Sequence, residues 1–219
     1  MRRQKSEGIR KSQSKESRRR LLLAGMIQFA KMGYSGASVR DIVGYAGMSV
    51  PAISAYFGSK EGLATAIVDE FKRTIVIPMA SQADEIGSDL MWRVAVKRFV
   101  QQVIAIFNAK DEPNCYFAAL YRHESANLHA KKVTLHDEII SPIFHQLEKL
   151  MALGVADRSP IVVRLWTLAL WNNVIAYALK HPEVIAKDVP EGIDSQLFLE
   201  TTIDFMVDKC IRDLSFTVA

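Results

Sequence analysis

The 219-residue chain is 49% hydrophobic and 24% charged with a formal net charge of +4, which excludes a wholly disordered chain and suits one large domain or a small one joined to a larger one. Two cysteines, Cys115 and Cys210, make no disulfide framework and fit a reducing cytoplasm. Seven prolines and eleven glycines cluster at a few breaks and no segment alternates with period two, so the expected fold is all-α, with about nine helices.

Residues 1–20 hold nine Arg or Lys against Glu7 and Glu16, a net +7 that leaves the remainder at −3. With Ile9 as its one large apolar residue before Ser17 besides Met1, residues 1–16 are expected to be a disordered basic arm suited to phosphate. From Ser17 a helical stripe of Leu21, Leu22, Gly25, Phe29 and Met32 runs to Gly33-Tyr34. Ser38 is placed to cap a second helix with Asp41 as its capping-box partner, and Ala46-Gly47 ends it. Ser49 is expected to cap a third helix with Pro51 in its first turn; Phe57-Gly58 closes it after barely two turns. Ser59 then caps a connector with the stripe Leu63, Ile67, Phe71 and Ile75, and Pro78 is expected to end or kink it.

Two short helices around a glycine turn, the second too short to be a core element, have the pattern of a DNA-reading helix-turn-helix. The stretch GYSGASVRDIVGYAGMSVPAISAYFGSKEGL resembles the signature of TetR-family transcriptional regulators, with matches that include Gly33, Tyr34, Ser38, Arg40, Ala46, Gly47, Ser49, Tyr56, Phe57, Ser59, Lys60 and Glu61. The resemblance implies a helix-turn-helix DNA-binding domain over 17–62, a helical regulatory and dimerisation domain over 63–219, and a recognition helix over Val50 to Tyr56. It also implies that Tyr56 and Lys60 clamp phosphates. Ser38 and Ser49 stand at helix starts, where hydroxyls and free N–H groups meet phosphate. The expected base-reading face is Val50, Pro51, Ala52, Ser54 and Ala55, which offers apolar contact to thymine methyls, with Arg40 as the one strong guanine partner.

The C-terminal part opens with a helix striped by Trp92, Val96, Phe99, Val103 and Ile106. Pro113-Asn114 breaks it, shorter helices follow near 115–127 and 132–152, and Ser141-Pro142 interrupts the latter. Aromatic residues Trp92, Phe99, Phe107, Phe117, Tyr121, Trp166, Trp171 and Tyr177 interleave with polar groups, as a cavity for a small-molecule effector requires; the candidate ligand residues are Trp92, Phe99, Phe117, Tyr121, His123, Trp166, Trp171 and Asn172. Helix Pro160 to Leu179 is apolar all round and is expected to be buried all round. With the final helix (Leu199, Ile203, Met206, Cys210) it is expected to build a homodimer that presents two recognition helices to a palindromic operator. His123-Glu124, followed by His136, Ile140, Ser141, Pro142 and Ile143, is similar to CecR-type regulators. His123, His129, His136 and His145 lack metal-ligand spacing, and no phosphate loop or GxSxG is present, so no metal, cofactor or enzyme is expected. The apolar run Leu165 to Leu179 has 15 residues, short of a membrane span, so no membrane partner is expected and a cytoplasmic location is.

Overall fold

The computed structural model describes residues 2–80, 89–126, 135–154, 159–180 and 182–215. Among the described residues the chain forms ten helices and no strand. These are α1 (Arg2–Gly36), α2 (Val39–Tyr45), α3 (Pro51–Phe57), α4 (60–80), α5 (Asp89–Phe107), α6 (Phe117–Ala126), α7 (136–153), α8 (Pro160–Ala178), α9 (Pro182–Asp188) and α10 (Ser195–Ser215). Helix α9 is additional to the helices expected from the sequence; Pro182 occupies its first position, where a missing N–H costs nothing. His129 lies outside the described residues.

Residues 2–15, expected to be disordered, are helical and continue α1 without a break. Leu21, Met26 and Phe29 are buried and anchor the helix. Each residue added to an existing helix gains a backbone bond without a new nucleation cost, and the Arg, Lys, Gln and Glu of the extension are good helix formers. A Glu16–Arg19 ion pair at 3.5 Å spans one turn. Gly33 (φ 70°, ψ 166°) breaks α1 where Gly33-Tyr34 was expected to end it.

The first three helices close on the start of α4. A Cβ at Gly25 would lie 2.8 Å from Leu63 Cδ2, so α1 and α4 cross where only glycine fits. Farther along, α4 leaves this small bundle and buries Phe71 and Ile75 among the C-terminal helices. Helical backbone continues past Pro78 to Ala80. A π-helical turn, Lys72–Val76, precedes the proline, and Ile77 N–H bonds to the Lys72 carbonyl. Helix α7 has the same device two residues before Pro142, with Ser141 N–H bonded to the His136 carbonyl. In each case the wider turn relieves the crowding that a proline ring imposes on the preceding carbonyls.

Helices α5, α7, α8 and α10 pack together as the C-terminal core. By length and composition α8 is long and apolar enough to cross a membrane, beyond what the 15-residue run suggested. Here one of its faces buries Val163, Leu170, Trp171, Val174 and Tyr177, and its buried Thr167 hydroxyl donates to the Val163 carbonyl at 2.8 Å. The other face is left open in the single chain: Ile161 is 72% and Leu165 61% exposed.

Trp92 Nε1 donates to the Leu150 carbonyl at 2.7 Å, and a Cβ at Gly154 would sit 2.0 Å from its ring. Gly154→Ala therefore forces the indole out of its seat. The expected cost is about 1–3 kcal/mol, read as a lower urea midpoint at unchanged slope when unfolding is followed by tryptophan fluorescence.

Candidate nucleic-acid interface

Local capping builds the helix-turn-helix. Asp41 N–H donates to Ser38 Oγ at 3.1 Å and Ser38 N–H to the Asp41 carboxylate at 3.3 Å, completing the capping box at the start of α2. Gly47 (φ 63°) makes the turn, and Gly58 (φ 77°) lets α3 stop at once; both need the left-handed region that glycine enters freely. Ser59 Oγ accepts from Gly62 N–H at 3.1 Å and starts α4. Ser49 departs from expectation. No side chain caps α3; the Ser49 carbonyl accepts the Ala52 N–H, and Val50, already in helical conformation, occupies the cap position.

The outward face of α3 carries Val50, Pro51, Ser54 and Ala55, with Arg40 and Ser38 exposed on the neighbouring α2 turn. Ala52 is not part of this face. It is 8% exposed and packs inward beside Ile53, because at about 100° per residue it lies roughly 200° around the helix from both Val50 and Ser54. Tyr56 is half-buried against the core. The Lys60 ammonium lies 4.4 Å from the Tyr34 ring centre and 5.8 Å from that of Phe29. These contacts hold the cation near the start of α4.

Two contacts had no expectation in the sequence. Arg18 sits over the ring of Phe57, the last residue of α3, at 4.9 Å, and Arg20 Nη2 donates to the Ala46 carbonyl at 2.5 Å. The basic end of α1 is thus pinned to the ends of both helix-turn-helix elements.

The candidate ligand residues occupy different settings. Phe117 stands edge-on to Phe71 of α4 and to Phe107, both at 5.3 Å, and stacks on Tyr121 at 6.2 Å. Trp171 packs edge-on to Phe144 at 5.6 Å. Trp92 and Phe99 are core residues of α5, Trp166 is half-buried with its carbonyl accepting from Cys210 Sγ, and Asn172 faces outward on α8. His123 Nε2 lies 3.1 Å from the Ala30 carbonyl, with its ring against Gly33, so it ties α6 to the end of α1. A cleft of about 700 Å³ opens elsewhere, among α5, α8, α9 and α10. Gln101, Asn108, Lys110, Tyr177 and Glu200 supply its polar lining, and Ile104, Leu199 and Ile203 its apolar floor. None of the eight candidate residues lines it. Tyr177, one of the interleaved aromatics, does. Among the described residues no group of three His, Cys, Asp or Glu is placed to hold a metal ion.

A family model described as "Bacterial regulatory proteins, tetR family" matches residues 21–67, the segment that contains these caps and turns. Residues 21–67 are a TetR-family helix-turn-helix segment. Over 211 residues the chain is 23% identical to the HTH-type transcriptional dual regulator CecR of Shigella flexneri, covering 91% of this chain and 93% of the relative. Similar folds include a transcriptional regulator of Rhodococcus sp. Rha1 (TM-score 0.63, 19% identity, 90% of this chain and 96% of that one). Another is the regulator FadR of Bacillus subtilis, solved in complex with stearoyl-CoA (TM-score 0.61, 15% identity, 86% and 96%). Regulators of this family bind DNA.

Glu124, beside His123, joins α6 to the start of α7: its two carboxylate oxygens accept from Leu135 N–H at 2.9 Å and His136 N–H at 3.0 Å. Burial pushes this carboxyl above its ordinary range, against the opposing pull of the two N–H groups. A carboxyl raised in the folded state contributes stability that is full below its unfolded value and is lost as pH rises through the folded one. The wild type is therefore expected to gain stability relative to Glu124→Gln as pH falls through the acidic carboxylate range, measured as the difference between their urea midpoints at several pH values.

Proposed function

We propose that the protein is a ligand-responsive, homodimeric transcriptional repressor that binds a palindromic operator. The observation that carries the DNA reading is the capping of α2 and α4 together with the turns at Gly47 and Gly58, which hold the α3 face of Val50, Pro51, Ser54 and Ala55 outward, with Tyr56 and Lys60 following in the chain. That face has no group for bidentate base recognition, so selectivity rests on thymine methyl contact, Arg40 and the shape and spacing of the site. A gel shift with DNA flanking the protein's own gene tests it. Sequence-selective, salt-sensitive binding is expected, and Tyr56→Phe and Lys60→Ala are expected to weaken all sequences alike, since they act on phosphates. Absence of a selective shift overturns the reading. The sign of regulation is read from a reporter fused to the bound promoter; the Shigella relative is named a dual regulator, and activation at any bound promoter would replace repression with that behaviour.

The dimer reading rests on the apolar stripe of α8 (Ile161, Leu165, Leu168) together with Phe205 of α10, which is 62% exposed in the single chain. A second copy covers such a surface through a two-fold axis. The effector is placed in the cleft among α5, α8, α9 and α10, whose size suits a small molecule. It draws Tyr177 from α8 and Leu199 and Ile203 from α10, so an occupant that prefers one packing of α8 and α10 biases the spacing of the two recognition helices. Leu165→Glu or Phe205→Glu is expected to yield monomers by sedimentation and to weaken operator binding roughly 100-fold or more, as two-site engagement is lost.

A further inference from the structure

We propose that the N-terminal half of α1 is a rigid cationic strut that grips DNA phosphates outside the segment read by α3. The proposal rests on the DNA-binding reading above and extends its footprint. Its basis is a single face of α1. Lys11, Lys15, Arg18, Leu22, Gly25 and Phe29 recur at alternating intervals of four and three, which places them in one line along a helix. From Leu22 onward this line is buried, with Gly25 against Leu63 of α4. From Lys11 to Arg18 the same line is exposed and its three members are all cations. The face changes from apolar to basic between Leu22 and Arg18, at the edge of the helix-turn-helix.

The location of that change identifies the partner. Arg18 rests on Phe57, adjacent to Tyr56, and Arg20 holds the Ala46 carbonyl at the end of α2. The basic line therefore sets out from the edge of the helix-turn-helix and is continuous with its phosphate-contacting side. Arg19, off the line, is paired with Glu16. Lys11 and Lys15 stand about 6 Å apart along the axis at 1.5 Å per residue, a step that fits neighbouring backbone phosphates. Duplex DNA, the polyanion that the adjacent helix-turn-helix binds in the reading above, is the partner that this line of cations fits.

The test uses the full chain, a labelled 40-base-pair duplex of mixed sequence, and a site selected from a randomised duplex library. Anisotropy titrations over about 50 to 300 mM KCl give the salt slope. Lys11→Gln/Lys15→Gln is expected to flatten that slope by about 1.8 per protomer, at 0.9 per phosphate contact. On the selected site it is expected to shorten the hydroxyl-radical footprint at its outer edges while protection of the half-sites stays. Both lysines are exposed, and an unchanged thermal midpoint verifies folding. Lys149→Gln/Lys187→Gln, equal in charge and placed on the C-terminal domain, is expected to leave the slope alone. A wild-type slope and footprint in Lys11→Gln/Lys15→Gln, or equal flattening by the control, overturns the strut and leaves the DNA-binding reading standing. A wild-type chain that binds neither duplex overturns both.

Discussion

Helix α4 has to satisfy two cores at once, and the rest of the molecule is arranged around that demand. Its first turns bury Leu63 and Ile67 against α1, at the crossing where Gly25 removes the side chain that would hold the helices apart. Its later turns bury Phe71 against Phe117 and Ile75 among the C-terminal helices. The ion pair of Lys72 with Glu138 and the bond from the Thr74 hydroxyl to Asn114 (2.7 Å) fasten the same stretch to α7 and to the start of α6. A connector held this way is not a linker. Tilting it displaces residues in both cores, and so the recognition helix and the C-terminal domain answer to one element.

The second joint between the two parts is polar where the first is apolar. His123 reaches the Ala30 carbonyl and lies on Gly33, while its neighbour Glu124 accepts the first N–H groups of α7. One short segment of α6 thereby ties the end of the first helix to the beginning of the seventh. Such bonds are directional and need their partners within a few tenths of an ångström, unlike the contact of Phe71 with Phe117, which tolerates sliding.

Legibility in the sequence followed the range of the interactions. Ser38 with Asp41, Gly47, Gly58 and Ser59 act within four residues of themselves, and the helix-turn-helix they build could be read directly. Ser49 has the composition of a cap without the conformation, since Val50 is already helical. Ala52 shows the weakness of judging a seven-residue helix by its outline: one position decides between groove and core. The aromatic residues marked a large buried region correctly, but a ring chosen to fill a core and a ring chosen to hold a ligand are the same residue type. The cleft draws Gln101, Tyr177 and Glu200 from three separate helices, and no local pattern announces it. The N-terminal arm was misjudged for a related reason, because its helicity is borrowed from the anchored half of α1.

The two π-helical turns explain a spacing that otherwise fits poorly. Leu63, Ile67, Phe71, Ile75 and Met79 recur at strict intervals of four and are all buried, as are Leu135, Ile139, Ile143, Leu147 and Met151 in and just ahead of α7. A four-residue repeat overshoots a 3.6-residue turn by about 40° each time, so over sixteen residues a straight helix would carry its apolar line nearly to the opposite side. One widened turn winds the backbone back by about a residue and returns much of that drift. Neither helix must coil around its neighbour to stay in contact. The proline that follows then fixes the position of the slack, and a four-residue repeat that runs up to a proline becomes a sign, visible in sequence alone, of where such a turn will form.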